Sequence, residues 1–152
     1  MIRKRTFLPL LLLLFGWFAA SGVQAQNDLF ISKVFDMYGK KKGVVMVDLS
    51  GEILENYRLT RFRSITIKDD PEAATFARRC LERDQVGAKK IKEVVANGIP
   101  TSIYLQLPRL GHDNRLILYN ESRSGGLRIT LIYIESNDDT EAILKLLLKK
   151  KQ

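Results

Sequence analysis

The chain predicts an α+β domain: an antiparallel or mixed sheet of about five to six strands with helices packed on one face. Three observations lead there. Apolar, β-branched runs are joined by short turns rich in Gly, Ser and Asn, and they do not alternate with helices as βαβ units would. Amphipathic helical patterns stand near the start, in the middle and at the end. The one cysteine, Cys80, cannot form an internal disulfide, so the fold must rest on a packed core.

The elements follow in order. Leu29 to Tyr38 reads as a helix, with Leu29, Phe30, Val34, Met37 and Tyr38 at helical spacing, Asn27 or Asp28 as its cap and Gly39 at its end. Lys40-Lys41-Lys42-Gly43 reads as a solvated loop. Val44 to Leu49 is a strand closed by Ser50-Gly51, and Ile53 to Leu59 and Phe62 to Ile67 continue the sheet. Asp69-Asp70-Pro71-Glu72 is the sharpest local signal. Asp70 can accept from the free amides of a first helical turn, Pro71 fits the first helical position, and Glu72 suits the positive end of the dipole. The helix that follows places Ala73, Phe76, Ala77, Cys80 and Leu81 on one face.

That helix is read as ending near Gly87, with a strand over Ile91 to Val95 and a turn at Asn97-Gly98; the competing pattern carries the helix on through Val95. Ile103, Leu105 and Leu107 alternate with Tyr104 and Gln106 as a strand. Arg115 to Asn120 and Leu127 to Glu135 form a hairpin about Ser124-Gly125-Gly126. A last helix, capped by Asp138 or Asp139, buries Ile143, Leu144, Leu147 and Leu148, and Lys149, Lys150 and Lys151 complement its negative end.

Ahead of this domain, residues 1–25 have the pattern of a cleaved signal peptide. Arg3, Lys4 and Arg5 precede an apolar run from Phe7 to Ala20, and Val23 and Ala25 stand where a signal peptidase reads, placing the cut before Gln26. The run is short for a spanning helix, which needs roughly 20 apolar residues, and it contains Pro9. The expected mature product, residues 26–152, is one domain, soluble, periplasmic or secreted, with no transmembrane helix. The signal takes three of the 25 basic residues, leaving 22 against 17 acidic ones, a net charge of +5 that is ordinary for a solvated surface. Export disfavours nucleic acid as a partner.

Several segments resemble a family. Phe35-Asp36-Met37-Tyr38 followed by Gly43-Val44-Val45-Met46-Val47 is similar to the opening of small exported proteins of unknown function common in Bacteroidota. Phe62 to Asp69 resembles their next strand, and Leu131-Ile132-Tyr133-Ile134-Glu135 with an acidic turn and terminal helix resembles their close. The resemblance implies the fold and export from a Gram-negative envelope. It implies no catalytic residues.

Candidate chemistry is sparse. His112, the only histidine, reads as a turn residue, and Cys80 sits on an apolar helix face, so no His–Cys metal site is available. No cofactor motif occurs: neither a G-x-S-x-G elbow nor a phosphate loop is present. A hydrolase using paired carboxylates would have to gather two of Asp36, Asp48, Glu52 and Glu55 in one cleft. Arg58, Arg61 and Arg63, together with Lys40, Lys41 and Lys42, form a candidate patch for an anionic ligand; charged residues that guard a strand edge would look the same. The expected role is that of a non-enzymatic domain that binds an envelope protein or surface component. The hydrolase and the anionic-ligand binder are its rivals.

Overall fold

The computed structural model describes residues 29–149. Helix α1 (Ser32–Tyr38) leads into β1 (Val45–Ser50), a 3₁₀ helix (Gly51–Tyr57) and β2 (Leu59–Lys68). Helix α2 (Pro71–Asp84) then precedes a meander of β3 (Lys89–Ala96), β4 (Ile99–Leu110), β5 (Asp113–Ser122) and β6 (Arg128–Ser136), and α3 (Thr140–Lys149) ends the described chain. The six strands form one open sheet in the order β1-β2-β6-β5-β4-β3, with every neighbouring pair antiparallel. The path follows from that order. After β2, α2 carries the chain across the sheet to the far edge, and the meander returns until β6 pairs with β2. This is the α+β class that the pattern of runs and turns predicts.

Side-chain parity sorts the core into two layers. Ile65 and Ile67, Ile103 and Leu105, Ile117 and Tyr119, and Leu131 and Tyr133 share one face, which α1 and α2 cover. Tyr104, Leu116, Leu118 and Ile134 point the other way and meet Leu54 of the 3₁₀ helix and Ile143 of α3. The expectation of helices on one face therefore holds for α1 and α2 and is corrected for α3. Strands β5 and β6 carry buried apolar residues at both odd and even positions, so neither face can be left to water.

Three local expectations also change. Residues 53–57 are not strand but part of the 3₁₀ helix, because Gly51 turns the chain at φ 79° and only Leu54 of this stretch finds a core. Arg58, at φ 57°, then reverses the chain into β2. The first α-helix is shorter than expected, starting at Ser32, and Asn27 and Asp28 lie outside the described residues, as do residues 1–25, Lys150, Lys151 and the Leu148 side chain. By contrast, Asp70 Oδ1 accepts from Ala73 N–H at 3.0 Å and Asp139 Oδ1 from Ala142 N–H at 2.7 Å, the two caps that the acidic turns suggest. Asn97 and Gly98, both at positive φ, make the tight β3–β4 turn.

The amides that open α1 are satisfied from far away in the chain. Phe30 N–H and Ile31 N–H donate to Asp84 Oδ1 and Oδ2, each at 2.8 Å. Asp84 is the last residue of α2, next on the stripe that carries Ala73, Ala77, Cys80 and Leu81, and it is buried with them. Burial pushes its carboxyl upward, while the two N–H groups and the nearby Arg115 oppose that shift. One side chain thus joins the end of α2 to the beginning of α1.

An Asp84→Asn substitution replaces one acceptor with an NH₂ group that faces a backbone donor. Hydrogen bonds to charged groups are worth about 1.5–3 kcal/mol. Urea denaturation of D84N is expected to show a loss of about 2–3 kcal/mol with the m-value unchanged.

Candidate functional site

The face beneath α1 and α2 changes from apolar to charged along the strands. In β2 the inward positions run Ile67, Ile65, Arg63 and Arg61; in β6 they run Ile129, Leu131, Tyr133 and Glu135. A register shift between Leu59 and Arg61 lets Leu59 join the opposite core while Arg61 stays on the face of Arg63. The cross-strand pairs Asp48–Arg63–Tyr133 and Arg61–Glu135–Arg115 make two polar rungs at this end of the sheet.

Helix α1 roofs those rungs and leaves a cavity of about 270 Å³. Leu29, Ile31, Ser32, Phe35 and Asp36 line it from above, and Arg61, Arg63, Tyr133 and Glu135 from below. The Arg63 guanidinium lies 4.3 Å from the centre of the Phe35 ring, a stacked cation, and its side chain is 12% exposed. Asp48 Oδ2 stands 3.2 Å from Arg63 Nε and 3.6 Å from Arg61 Nη2. The approach to Nε is too oblique for a hydrogen bond, so the buried Nε–H is left without an aligned acceptor, alone in this among the described buried side chains.

Tyr133 O–H donates to Glu135 Oε1 at 2.6 Å. Burial first, then the Glu135 carboxylate, push the phenol far above the ordinary tyrosine range, and Arg115 only partly offsets them. Arg115 is itself buried and donates from Nε to the Pro108 carbonyl at 3.0 Å. At the other end of the same face, Glu121 accepts from Arg78 at 2.5 Å, from Tyr119 O–H at 2.8 Å and from Arg123 at 3.0 Å. That carboxylate is fully enclosed and its acceptors are used, so it locks α2 to β5.

The six residues of the candidate anionic patch part company. Arg61 and Arg63 come together in the cavity. Arg58 sits at the left-handed corner before β2, 3.6 Å from Asp138. Lys40, Lys41 and Lys42 lie in the exposed turn before β1, whose first residue registers with Thr66, about 10 Å along the strand from the Asp48–Arg63 rung. Lys41 places its ammonium 4.5 Å over the Tyr38 ring. Among the carboxylates, Asp36 lines the cavity and Asp48 borders it, whereas Glu52 and Glu55 are exposed on the 3₁₀ helix.

Sequence reasoning missed three residues here. Glu135 and Tyr133 continue the inward parity of Leu131 in β6, and Asp84 continues the α2 stripe; the parity was the available signal. Cys80 is buried, with burial and then Asp84 raising its thiol, the reverse of an activated nucleophile. His112 is exposed in the β4–β5 turn, its carbonyl accepting from Arg109. Among the described residues no three His, Cys, Asp or Glu side chains gather so as to hold a metal, and no helix is long and apolar enough to cross a membrane. What the cavity offers is two guanidinium groups that share the bordering Asp48, beside a phenol and the carboxylates of Asp36 and Glu135.

Residues 18–147 match a family described as a family of unknown function, DUF6108. No curated protein matches the chain.

The two raised phenols make a pH prediction. Tyr119 is also driven far upward, by burial and then by its bond to Glu121. A group with a raised pKa holds its proton more tightly when folded, so its stabilisation is full below the unfolded value of 10.0 and is lost as pH rises above it. In ultraviolet titration of tyrosinate, Tyr119 and Tyr133 are expected to ionise only as the chain unfolds. Tyr133→Phe is expected to lessen the alkaline loss of stability.

Proposed function

The chain belongs to the DUF6108 family of unknown function, and we propose that it is an exported, non-enzymatic domain that binds a protein or cell-envelope component through an anionic group. The binding element is the end of the sheet roofed by α1. One observation carries the reading: Arg63, nearly buried and stacked on Phe35, lines one cavity with Arg61, and the two guanidinium groups share the Asp48 carboxylate. A planar guanidinium fixed in this way suits a carboxylate or phosphate, which can take two parallel N–H bonds. Arg61 borders the same cavity, is more exposed, and is held to Asp48 only at 3.6 Å, so it can turn towards a ligand.

Support for a binding rather than a catalytic role comes from how the nearby groups are engaged. Asp48 faces two guanidinium groups and Glu135 accepts from Tyr133, which leaves them as supports of the floor. The hydrolase reading needs two of Asp36, Asp48, Glu52 and Glu55 in one cleft. Glu52 and Glu55 are exposed on the 3₁₀ helix away from the cavity. Of the two carboxylates near it, Asp36 on the lining and Asp48 at its border, Asp48 is engaged by Arg61 and Arg63. Export rests on the basic, apolar and small-residue pattern of residues 1–25.

Two measurements test the reading. The intact mass of protein recovered from the envelope or medium of expressing cells is expected to correspond to a chain that begins at Gln26. Retention of residues 1–25 in that fraction would contradict the export reading. Titration with phosphatidylglycerol vesicles and with an acidic polysaccharide is expected to show binding to one of them that weakens as salt rises. Arg63→Met, which keeps the packing stem, is expected to lower the affinity about tenfold or more, equivalent to roughly 1.4 kcal/mol, whereas Arg58→Met leaves it unchanged. No binding at low salt, or binding indifferent to R63M, would overturn the proposal.

A further inference from the structure

The two edges of the sheet are built differently. Edge strand β3 carries Lys89, Lys90 and Lys92, and its pairing with β4 slips twice, between Lys90 and Lys92 and between Val94 and Val95. Lysines and bulges are the means by which an exposed edge is kept from pairing with another chain. Edge strand β1 has neither. Its six residues, Val45 to Ser50, contain no Lys, Arg, Pro or Gly, and they pair with β2 without a register shift. Its single charge, Asp48, is turned onto Arg63 and Arg61. Val45 is 63% exposed, Met46 39% and Val47 38%. Among the described residues this is a regular, apolar edge without lysines or bulges.

We infer that β1 is the contact of a symmetric dimer, in which it pairs antiparallel with β1 of a second copy to make one continuous sheet. The argument for a second copy is that the strand is its own complement. A two-fold axis perpendicular to the sheet keeps each face continuous, so residues that stand opposite must share a face. With the axis at Val47, Val45 stands opposite Leu49 of the other copy, Val47 opposite Val47, and Met46 opposite Asp48. Val45, Val47 and Leu49 lie on the face of Phe62, since Leu49 is the cross-strand partner of Phe62. Both copies together therefore form an uninterrupted apolar row on that face. On the other face the two Asp48 side chains stand on either side of the axis, each held by its own guanidinium pair, and do not face each other. Cross-strand apolar pairs of this kind are the stabilising unit of a sheet.

The test uses the protein as purified from the envelope or medium of expressing cells. Sedimentation equilibrium from low micromolar to millimolar concentration is expected to show a monomer–dimer equilibrium. Val47→Lys puts two ammonium groups face to face at the axis and is expected to raise the dissociation constant about tenfold or more; Val47→Thr keeps the strand and serves as the folded control. Under oxidation Val47→Cys is expected to cross-link two copies, whereas Val45→Cys is not, because its counterpart lies too far along the strand for a disulfide. A monomer at all concentrations overturns the proposal, as does a dimer that V47K leaves intact and V47C fails to cross-link. A β1 edge that pairs only with a different protein would give the monomer result and would overturn it too.

Discussion

Two backbone N–H groups at the start of α1 find their acceptors more than fifty residues away, on the Asp84 carboxylate at the end of α2. A helix of seven residues has little stability of its own, since nucleation is costly and few hydrogen bonds repay it. Its place on the sheet must come from tertiary contacts. Ile31, Val34, Phe35 and Tyr38 supply the apolar part, and Asp84 fixes where the first turn begins. Because Phe35 of that helix is the surface on which Arg63 stacks, the Asp84 bond also sets the height of the cavity roof. The burial of one acidic side chain links the α2 end, the α1 start and the guanidinium floor.

The sheet beneath obeys a second constraint. Its inner strands β5 and β6 are apolar on both faces, so helices must cover both, and the chain supplies α1 and α2 on one side and α3 with the 3₁₀ helix on the other. Cover is incomplete where the inward positions of β2 and β6 become Arg61, Arg63 and Glu135, and there the polar cavity forms. At the opposite end of the same face the polar residues are consumed internally, with Glu121 taking donors from Arg78, Tyr119 and Arg123. One polar cluster closes the fold; in the other, two guanidinium groups at the cavity share the Asp48 carboxylate.

Much of the fold is legible in the chain because local signals and tertiary demands agree. Asp70-Pro71 starts α2, Asn97-Gly98 turns β3 into β4, and alternation marks β4 from Ile103 to Leu107. Reading failed where a segment is decided by what it packs against. Residues 53–57 look apolar enough for a strand, but only Leu54 meets a core and Gly51 has already turned the chain. The site was half legible. Arg61 and Arg63 are visible as an i, i+2 pair, but that Arg58 leaves them depends on a bulge near Thr60, and that Lys40 to Lys42 sit at the far end of β1 depends on strand register. Glu135 and Asp84 are charged residues at apolar parity positions, and only the folded chain shows what they hold.

The most direct test of this account is amide hydrogen exchange at Phe30 and Ile31 in the native protein. Bonded to a buried carboxylate, both amides should exchange as slowly as those of the central strand β5, although they lie at the edge of the described chain and outside regular helix. Exchange at the rate of the exposed His112 turn would mean that Asp84 does not hold α1 in solution, and the cavity over Arg63 would lose its roof.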